Sequence, residues 1–233
     1  MNYGYIPAPD ARALALDASD EADRYCIQLY DFVAGACDLA GKHVLEVGSG
    51  RGGGASFVKR YRRPASLTGV DFSAMAVEFC RHRYHIDGLS FREGHAEALP
   101  FEDESVDAIV NVESSHCYGS IAGFFREVRR VLKPGGCFLY ADLRASEDLE
   151  EWRGQLLQSG LCLVAETDIT PNVLAALDLD HDRKSALIRR LIPRPLLDSF
   201  GNFAGLRGST IYEGFRTGRL TYRAFRMEKP WTH

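Results

Sequence analysis

The fold of this chain is decided by residues 43–54, HVLEVGSGRGGG. The first five of these residues form a short, mostly apolar run, which predicts a buried strand. The glycine cluster that follows lets the backbone turn tightly and come close to a ligand, and residues 55–61 then have a helical pattern. A strand, a glycine-rich turn and a helix are the beginning of a βαβ unit.

The alternation of strand and helix continues on both sides of this stretch. Further helices are predicted over residues 21–38, 74–84, 124–132 and 149–157, and further strands over residues 66–71, 89–93, 106–112, 137–141 and 161–167. The run 106–112 is the most continuously apolar, so it is expected at the centre of the sheet. Residues 133–136 (KPGG) are expected to end the preceding helix. This pattern predicts an α/β, doubly wound fold with helices on both faces of a parallel sheet.

The carboxyl-terminal part of the chain departs from this rhythm. Residues 171–207 read as amphipathic helix, and residues 220–227 alternate cleanly as a final strand. Because the helical stretch is longer than a connection needs, we predict a helical lid insertion before the last strand. A structural helical hairpin that covers the sheet is the alternative. The remaining linkers are short, so residues 1–233 are expected to form a single domain.

Composition excludes several classes of protein. The 233 residues carry a formal net charge of -4, whereas proteins built mainly to hold nucleic acid normally present a basic surface. No apolar run approaches the roughly 18 residues that a membrane-spanning helix needs. The amino-terminal residues lack the basic and apolar regions of a secretory signal. We therefore expect a cytoplasmic protein with no nucleic-acid partner and no membrane span.

The six cysteines are scattered along the chain and include no CxxC pair; they are Cys26, Cys37, Cys80, Cys117, Cys137 and Cys162. In a chain of this size this spacing favours separate reduced thiols over zinc ligands or a disulfide framework. We therefore predict no metal site and a reducing compartment.

The charged residue in the first strand points to a particular kind of ligand. Gly48, Gly50 and Gly53, with Asp71 at the end of the next strand, satisfy the dinucleotide fingerprint. Glu46, however, would repel a pyrophosphate and attract an ammonium group by about 4 kcal/mol before desolvation. S-adenosylmethionine carries an ammonium and a sulfonium and no phosphate, so it is the predicted cofactor.

The residues after the second strand fit the other half of that cofactor. Asp71 can accept hydrogen bonds from the two ribose hydroxyls, and Phe72 can lie against the adenine ring. Two structural alternatives stay open. Glu46 could form an ion pair with a helix, and Asp71 could cap the helix that follows, although Ser73 would cap it equally well.

Four blocks of the sequence together resemble the class I S-adenosylmethionine-dependent methyltransferases. They are VLEVGSGRGG, GVDFSAMAV, EGHAEALPFEDESVDAIVNVESSHCY and FREVRRVLKPGGCFLYADLR, and they lie in order within residues 43–144. The resemblance implies a seven-stranded, mostly parallel sheet whose last strand is antiparallel. The segments NVESSHCY and FAGLRGSTIYEGF look like those of bacterial enzymes that O-methylate lipids, polyketides or related hydrophobic natural products.

The resemblance also implies roles for individual residues. The implied cofactor-binding residues are Glu46, Gly48, Ser49, Gly50, Gly53, Asp71, Phe72, His95, Ala96, Glu97 and Asn111. His95 stands where the family usually has Asp, and a neutral imidazole can accept from the adenine amino group only in one tautomer. Residues 1–20, with Tyr3 and Tyr5, resemble the mobile segment that folds over the cofactor in relatives. A disordered tail is the alternative.

The segment that follows the fourth strand carries the candidates for catalysis. It leaves the carboxyl edge of the sheet, where ligands of doubly wound folds bind. His116 is the first candidate for a general base, because the ordinary pKa of histidine lies near neutral pH. Glu113 is the second, as base or as the group that orients His116. His181 could reach the substrate from the lid, while the acidic cluster around it, residues 178–182, is read as solvated surface.

These residues predict an O-methyltransferase that acts on a hydroxyl or a carboxylate of a hydrophobic small molecule such as a fatty acid, a polyketide lipid or a macrolide-like compound. A nicotinamide-dependent oxidoreductase is an alternative, against which Glu46 and the missing Tyr-x-x-x-Lys spacing both count. A catalytically inactive S-adenosylmethionine-binding partner protein is another. The apolar residues of the lid favour a lipophilic acceptor. A homodimer is left open.

Overall fold

The structure is a computed structural model that describes residues 2–231. Its centre is a seven-stranded sheet with the order β3-β2-β1-β4-β5-β7-β6. The strands are β1 His43–Val47, β2 Ser66–Asp71, β3 Leu89–Glu93, β4 Val106–Val112, β5 Leu132–Ala145, β6 Cys162–Asp168 and β7 Leu220–Glu228. Neighbours among the first five strands pair in parallel, and β7 runs antiparallel between β5 and β6. The predicted fold class, including the antiparallel last strand, is confirmed.

Eight α-helices accompany these strands in the described part of the chain. They are α1 Arg24–Ala34, α2 Gly53–Phe57, α3 Ala74–Arg83, α4 Ile121–Val131, α5 Leu149–Gln158, α6 Thr170–Leu191, α7 Leu197–Phe203 and α8 Thr210–Arg216. Serine side chains cap three of them, since Ser73, Ser120 and Ser209 each accept a hydrogen bond from the backbone N–H three residues later. Such caps satisfy amides that have no partner within the helix. The predicted helical insertion between β6 and β7 is helical, and it continues to Arg216.

The core lies on both faces of the two central strands. In β4, every residue except Asp107 is buried, as the continuous apolar run predicts. On one face, Phe138 and Tyr140 of β5 stack with ring centroids 5.1 Å apart, and Phe125 of α4 meets both of them edge-on. Aromatic pairs of this geometry add to the free energy gained from burial alone. The packing holds the carboxyl ends of β1, β2 and β4 at one edge of the molecule.

Several element boundaries differ from the prediction. Helix α1 covers 11 residues and ends before Gly35, whereas the pattern predicted helix as far as residue 38. Strand β5 is longer than predicted at both ends, because it begins immediately after α4 and continues to Ala145. Its register nevertheless shifts between Leu132, opposite Val106, and Cys137, opposite Ala108. The KPGG segment therefore ends the helix as expected and forms an irregularity at the start of the strand.

The amino-terminal residues pack against the body of the protein. The backbone N–H of Tyr5 donates to the carbonyl of Tyr25 (3.0 Å), and that of Ile6 donates to the carbonyl of Asn172 (3.2 Å). The Tyr5 ring is buried and stacks on Phe32 with centroids 4.6 Å apart. In this structure the beginning of the chain is thus a wall of the protein, and the mobility of residues 1–20 stays a prediction.

One pair of cysteines departs from the expectation of separate thiols. Cys37, which follows α1, and Cys137 of β5 are neighbours across 100 residues of sequence, with Cα atoms 7.1 Å apart, beyond the roughly 4.4–6.8 Å that a disulfide spans. These two thiols are therefore not separate, and their reduced state stays a prediction. Cys26, Cys80, Cys117 and Cys162 are free thiols.

None of the helices in residues 2–231 combines the length and the apolar character needed to cross a bilayer. Nor do three or more His, Cys, Asp or Glu side chains in that range converge as a metal site requires. The absence of a bound metal stays a prediction.

Burial in the central strands makes a quantitative prediction for stability. The Leu139 side chain in β5 is fully buried, whereas Leu179 on α6 is 62% exposed. Leu139→Ala should lower the free energy of unfolding by about 2–5 kcal/mol, because it removes buried apolar surface and leaves a cavity. The matched control Leu179→Ala should change it by about 0.5 kcal/mol or less. Urea denaturation measures both values, and equal losses would contradict the assigned core.

Candidate active site

A cavity of about 1270 Å³ opens at the carboxyl edge of β1, β2 and β4. Of the eleven predicted cofactor-binding residues, nine line it: Gly48, Ser49, Gly50, Gly53, Asp71, Phe72, His95, Ala96 and Glu97. The catalytic candidates Glu113 and His116 line the same cavity. The structure therefore brings together residues that are up to about 70 positions apart in the sequence. The cavity lies where doubly wound folds bind their ligands.

The glycine-rich turn is tied to the end of β2. Gly50 has φ +52°, and its backbone N–H donates to Oδ2 of Asp71 (2.7 Å). The other carboxylate oxygen of Asp71 accepts from the N–H of Ser73 (2.9 Å), while the Ser73 hydroxyl caps α3. Asp71 is thus not the helix cap, and the alternative reading of it is wrong. Because a carboxylate offers about four acceptor positions, Asp71 can still accept from a ligand.

Glycine at position 48 is required by close packing behind the turn. Gly48 has φ +72°, and a Cβ atom there would collide with the side chain of Ser114 and lie 2.8 Å from the hydroxyl of Tyr118. Any larger residue would displace the loop that follows β4. The turn and that loop therefore form one wall of the cavity.

Glu46 lies behind this wall and is not among the residues that line the cavity. Its side chain is 1% exposed, and Oε1 accepts a hydrogen bond from the Tyr30 hydroxyl of α1 (2.6 Å). Burial raises the pKa of Glu46 to about 8. The Tyr30 ring covers Gly54, where a Cβ atom would collide with it. The predicted contact of Glu46 with a ligand ammonium stays a prediction, and Tyr30, which sequence reasoning missed, holds the carboxylate in place.

Three polar atoms around the turn are buried without a hydrogen-bond partner in the described part of the chain. They are Oε2 of Glu46, Oγ of Ser49 and Oδ1 of Asn111. Asn111 is itself fixed, because its Nδ2 donates to the carbonyl of Val47 (2.8 Å) and to Ser114. Unpaired buried polar atoms cost free energy, so their concentration at one turn fits a ligand with both amino and carboxylate groups.

The far end of the cavity has an exposed aromatic ring and a histidine. The Phe72 side chain is 75% exposed, and its ring meets that of His95 edge-on with centroids 5.4 Å apart. Nδ1 of His95 accepts from the backbone N–H of Glu97 (3.2 Å). A neutral imidazole held in this way carries its proton on Nε2. His95 thus presents an N–H donor in this state, and its predicted contact with adenine stays a prediction.

His116, on the cavity wall, contacts the carboxylate of Asp142. Its Nδ1 lies 2.8 Å from Oδ1 of Asp142, and its backbone N–H donates to Oδ2 of the same carboxylate (3.0 Å). Burial lowers the pKa of His116, but the hydrogen bond and the charge of Asp142 outweigh it, so the pKa lies above its ordinary 6.5. Asp142 is fully buried, and its pKa lies below the ordinary range because His116 and Arg144 outweigh its desolvation.

Sequence reasoning missed Asp142 entirely. It assigned the orienting role to Glu113, which is closer in sequence, whereas Asp142 comes from the neighbouring strand β5. The signal that could have found it is an acidic residue directly after the predicted buried strand 137–141. Ser115 and Arg144 also contact the carboxylate of Asp142.

Glu113 has a different set of contacts. It has φ +53°, an uncommon conformation for a residue with a side chain. Its Oε2 accepts from the backbone N–H of Tyr3 (2.9 Å) and from the hydroxyl of Tyr222 (3.2 Å). Burial raises the pKa of Glu113 to about 7. Glu113 thus links Tyr3 to Tyr222 of β7, and it does not orient His116 by a direct hydrogen bond.

The structure does not place His181 with the other catalytic candidates, and its predicted role stays a prediction. His181 lies on α6 outside the cavity, and its Nδ1 accepts from the backbone N–H of Arg207 (3.1 Å). Successive residues of an α-helix are rotated by about 100°, which turns the His181 side chain away from the buried face of α6. The reading of its acidic neighbours as solvated surface is incomplete, because Asp180 is buried and pairs with Arg183.

Known proteins resemble this chain over nearly its whole length. Residues 45–140 match the family model described as a methyltransferase domain. The fatty-acid O-methyltransferase of Mycolicibacterium smegmatis is 41% identical over 230 residues, which cover 99% of this chain and 83% of that protein. The phthiotriol/phenolphthiotriol dimycocerosates methyltransferase of Mycobacterium tuberculosis is 39% identical over 229 residues, covering 98% of this chain and 84% of that protein.

Solved structures share the fold at lower identity. The geranyl diphosphate C-methyltransferase from Streptomyces coelicolor A3(2), in complex with Mg²⁺, geranyl diphosphate and S-adenosyl-L-homocysteine, has a TM-score of 0.70 at 20% identity, covering 98% of this chain and 92% of that chain. The cyclopropane synthase MmaA2 from Mycobacterium tuberculosis has a TM-score of 0.77 at 16% identity, covering 98% of this chain and 90% of that chain.

The contact between His116 and Asp142 predicts a change in titration. Asp142→Asn removes the negative charge that raises the pKa of His116, while burial, which lowers it, remains. The pKa of His116 should therefore fall, as measured by NMR titration of the imidazole resonances. The resonance of His82, whose Nδ1 lies 2.8 Å from the carbonyl oxygen of Glu78 on its own helix, is the internal control and should not move. An unchanged titration of His116 would contradict the assigned charge contact.

Proposed function

The chain belongs to the class I S-adenosylmethionine-dependent methyltransferases, and we propose that it transfers a methyl group to an oxygen atom of a hydrophobic small molecule, such as a fatty acid, a polyketide lipid or a macrolide-like compound. The observation that carries the proposal is the pairing of His116 with Asp142 on the wall of the cavity, next to the glycine turn. Membership in this family removes the nicotinamide-dependent oxidoreductase as an alternative. The inactive partner protein is distinguished by the tests below.

The residues at the edge of the sheet fit the cofactor of the family. Bound S-adenosylmethionine supplies a methyl group on a positively charged sulfur. Asp71 would accept from the ribose hydroxyls while it holds the N–H of Gly50. The unpartnered atoms of Glu46, Ser49 and Asn111 would face the amino acid part. A cationic amino group near Glu46 favours its ionised form, which offsets the cost of burying that carboxylate.

The His116–Asp142 pair suits two kinds of oxygen acceptor. Asp142 accepts a hydrogen bond from Nδ1–H of neutral His116. This contact fixes the tautomer of the imidazole and leaves Nε2 free to take a proton from a hydroxyl. The protonated form, which the raised pKa favours, would instead bind a carboxylate by charge and hydrogen bond. A carboxylate is already ionised at neutral pH and needs no base. Both reactions require His116 to lie beside the acceptor oxygen.

Two observations support a hydrophobic acceptor. The relatives described above are named for fatty acids and for phthiotriol and phenolphthiotriol dimycocerosates. The cavity is also lined by Phe203 of α7, whose exposed ring belongs to the helical insertion. We propose that this insertion closes over an acyl or polyketide chain. A homodimer, the absence of a nucleic-acid partner and a cytoplasmic location stay predictions.

The role of Asp71 is tested by cofactor binding. Asp71→Ala should weaken S-adenosylmethionine binding by about tenfold or more, because it removes hydrogen bonds to a charged acceptor that contribute about 1.5–3 kcal/mol each. Isothermal titration calorimetry measures the dissociation constant. Asp148, exposed at the start of α5 and outside the cavity, gives the control Asp148→Ala, which should bind as the wild type does. Equal binding by both variants would remove Asp71 from the site.

The role of His116 is tested by the pH dependence of methylation. With a hydroxyl acceptor the neutral form of His116 is active, so kcat/KM should rise with pH through its pKa, which lies above 6.5. With a carboxylate acceptor the protonated form is active, so kcat/KM should fall through the same pKa. His116→Ala should abolish either dependence, and with a hydroxyl acceptor it should lower kcat by about 10²–10⁴-fold.

The controls for this test are cofactor affinity and product formation. His116→Ala should bind S-adenosylmethionine as the wild type does, because His116 is not among the proposed cofactor-binding residues. A wild-type pH profile that His116→Ala leaves intact would contradict the proposal. Cofactor binding without a methylated product from either class of acceptor would favour the inactive partner protein.

A further inference from the structure

A second, smaller cavity of about 60 Å³ lies against the catalytic histidine. The residues that line it come from the amino terminus, the loop after β4 and the helical insertion, and are Asn2, Tyr3, Glu113, His116, Lys184, Phe203 and Ala204. Four of these residues, Asn2, Glu113, His116 and Phe203, also line the large cavity. Since one water needs about 10–15 Å³, this space can hold a small polar head group.

Lys184 is the residue in this cavity that the mechanism leaves unexplained. It lies on α6 and is 4% exposed. Lysine is seldom buried unless its ammonium group is paired, and an unpaired buried charge is costly. In the part of the chain that the structure describes, the ammonium makes no hydrogen bond to another residue, and its one ion-pair contact is with Asp180 at 3.8 Å.

Asp180 is already neutralised by another residue. Arg183, one position before Lys184, binds both oxygens of the Asp180 carboxylate at 2.6 and 2.8 Å. Two cations therefore share one anion, and the cluster retains one positive charge. Glu113 lines the same cavity but is not paired with this charge: it makes no ion pair within 4.0 Å among residues 2–231, and burial raises its pKa to about 7, which favours the neutral carboxyl.

We propose that Lys184 and His116 together bind the carboxylate of the acceptor, so that the oxygen methylated is that of a long-chain carboxylic acid and not of an alcohol. This inference rests on the proposed function and selects one of its two acceptor classes. Lys184 supplies a fixed positive charge, and the imidazolium of His116 supplies a directed hydrogen bond. The apolar chain extends from the small cavity past Phe203.

The chemistry of the step agrees with this arrangement. The carboxylate oxygen forms a bond to the methyl carbon while the carbon–sulfur bond breaks, and the electron pair of that bond stays on sulfur. The carboxylate and the sulfonium become a neutral ester and a neutral thioether, and no proton is released. The ester lacks the charge that Lys184 and His116 bind, so the product is held less tightly than the substrate.

The test measures binding and not only turnover. Decanoic acid, decan-1-ol and methyl decanoate are titrated into the full chain saturated with S-adenosylhomocysteine. The wild type should bind the acid about tenfold or more tightly than the alcohol or the ester, because a charged hydrogen bond contributes about 1.5–3 kcal/mol. Lys184→Met should remove that preference while binding of the alcohol stays unchanged. In turnover, Lys184→Met should raise KM for the acid more than it lowers kcat.

Two further variants separate this role from a structural one. Arg189→Met removes an exposed positive charge of α6 that lies outside both cavities, so it should keep the preference for the acid. Lys184→Arg should restore part of the preference that Lys184→Met removes. Equal effects of Lys184→Met and Arg189→Met would overturn the proposal, as would a wild type that binds and methylates decan-1-ol as well as decanoic acid.

The outcome also distinguishes this inference from the proposed function. Methylation of the alcohol alone would overturn the carboxylate site and leave O-methyl transfer intact, whereas no methylation of either compound would count against the proposed function itself. If no Lys184 variant folds, as judged by its thermal transition, the preference of the wild type among the three compounds decides the question.

Discussion

The site depends on how the end of β1 is fastened to the end of β2. The backbone N–H groups of Gly48 and Ser49 both donate to the carbonyl of Val70, at 2.8 and 3.0 Å, and that of Gly50 donates to Asp71. These bonds satisfy the amides of the turn before any ligand arrives, and they fix the position of the Asp71 carboxylate. The loop after β4 then packs on Gly48, where there is no space for a side chain. The cavity wall is therefore held by three hydrogen bonds, which the backbone N–H groups of Gly48, Ser49 and Gly50 donate to the end of β2.

The parts of this molecule that could be predicted from its sequence are those encoded locally. Strand β4 is apolar at every position except Asp107 and Asn111, and the burial of its apolar residues follows from that composition. The glycines and Asp71 occupy one βαβ unit, so their spacing along the chain already specifies their proximity. Ser73 was identified as an adequate helix cap from its position, and it caps α3 in the structure. These features need no knowledge of which distant elements become neighbours.

The parts that could not be predicted depend on contacts across the sheet or on helix phase. Asp142 reaches His116 because β5 lies beside β4, and no short motif records that neighbourhood. Tyr30 reaches Glu46 from a helix that precedes the glycine turn. His181 and Lys184 are only three residues apart on α6, yet one contacts the loop at Arg207 and the other lines the small cavity. Amphipathic periodicity identified the helix, but it did not specify which polar residues would be buried.

The contact between Glu113 and the backbone of Tyr3 has a practical consequence for handling the protein. Asn2 is buried and lines both cavities, and Tyr3 is bonded to a residue of the active site. An affinity tag fused ahead of these residues would be attached directly to the wall of the large cavity. Trp231, by contrast, is exposed at the other end of the described chain. Purification tags, fluorescent labels and immobilisation linkers should therefore be attached at the carboxyl end, away from the large cavity.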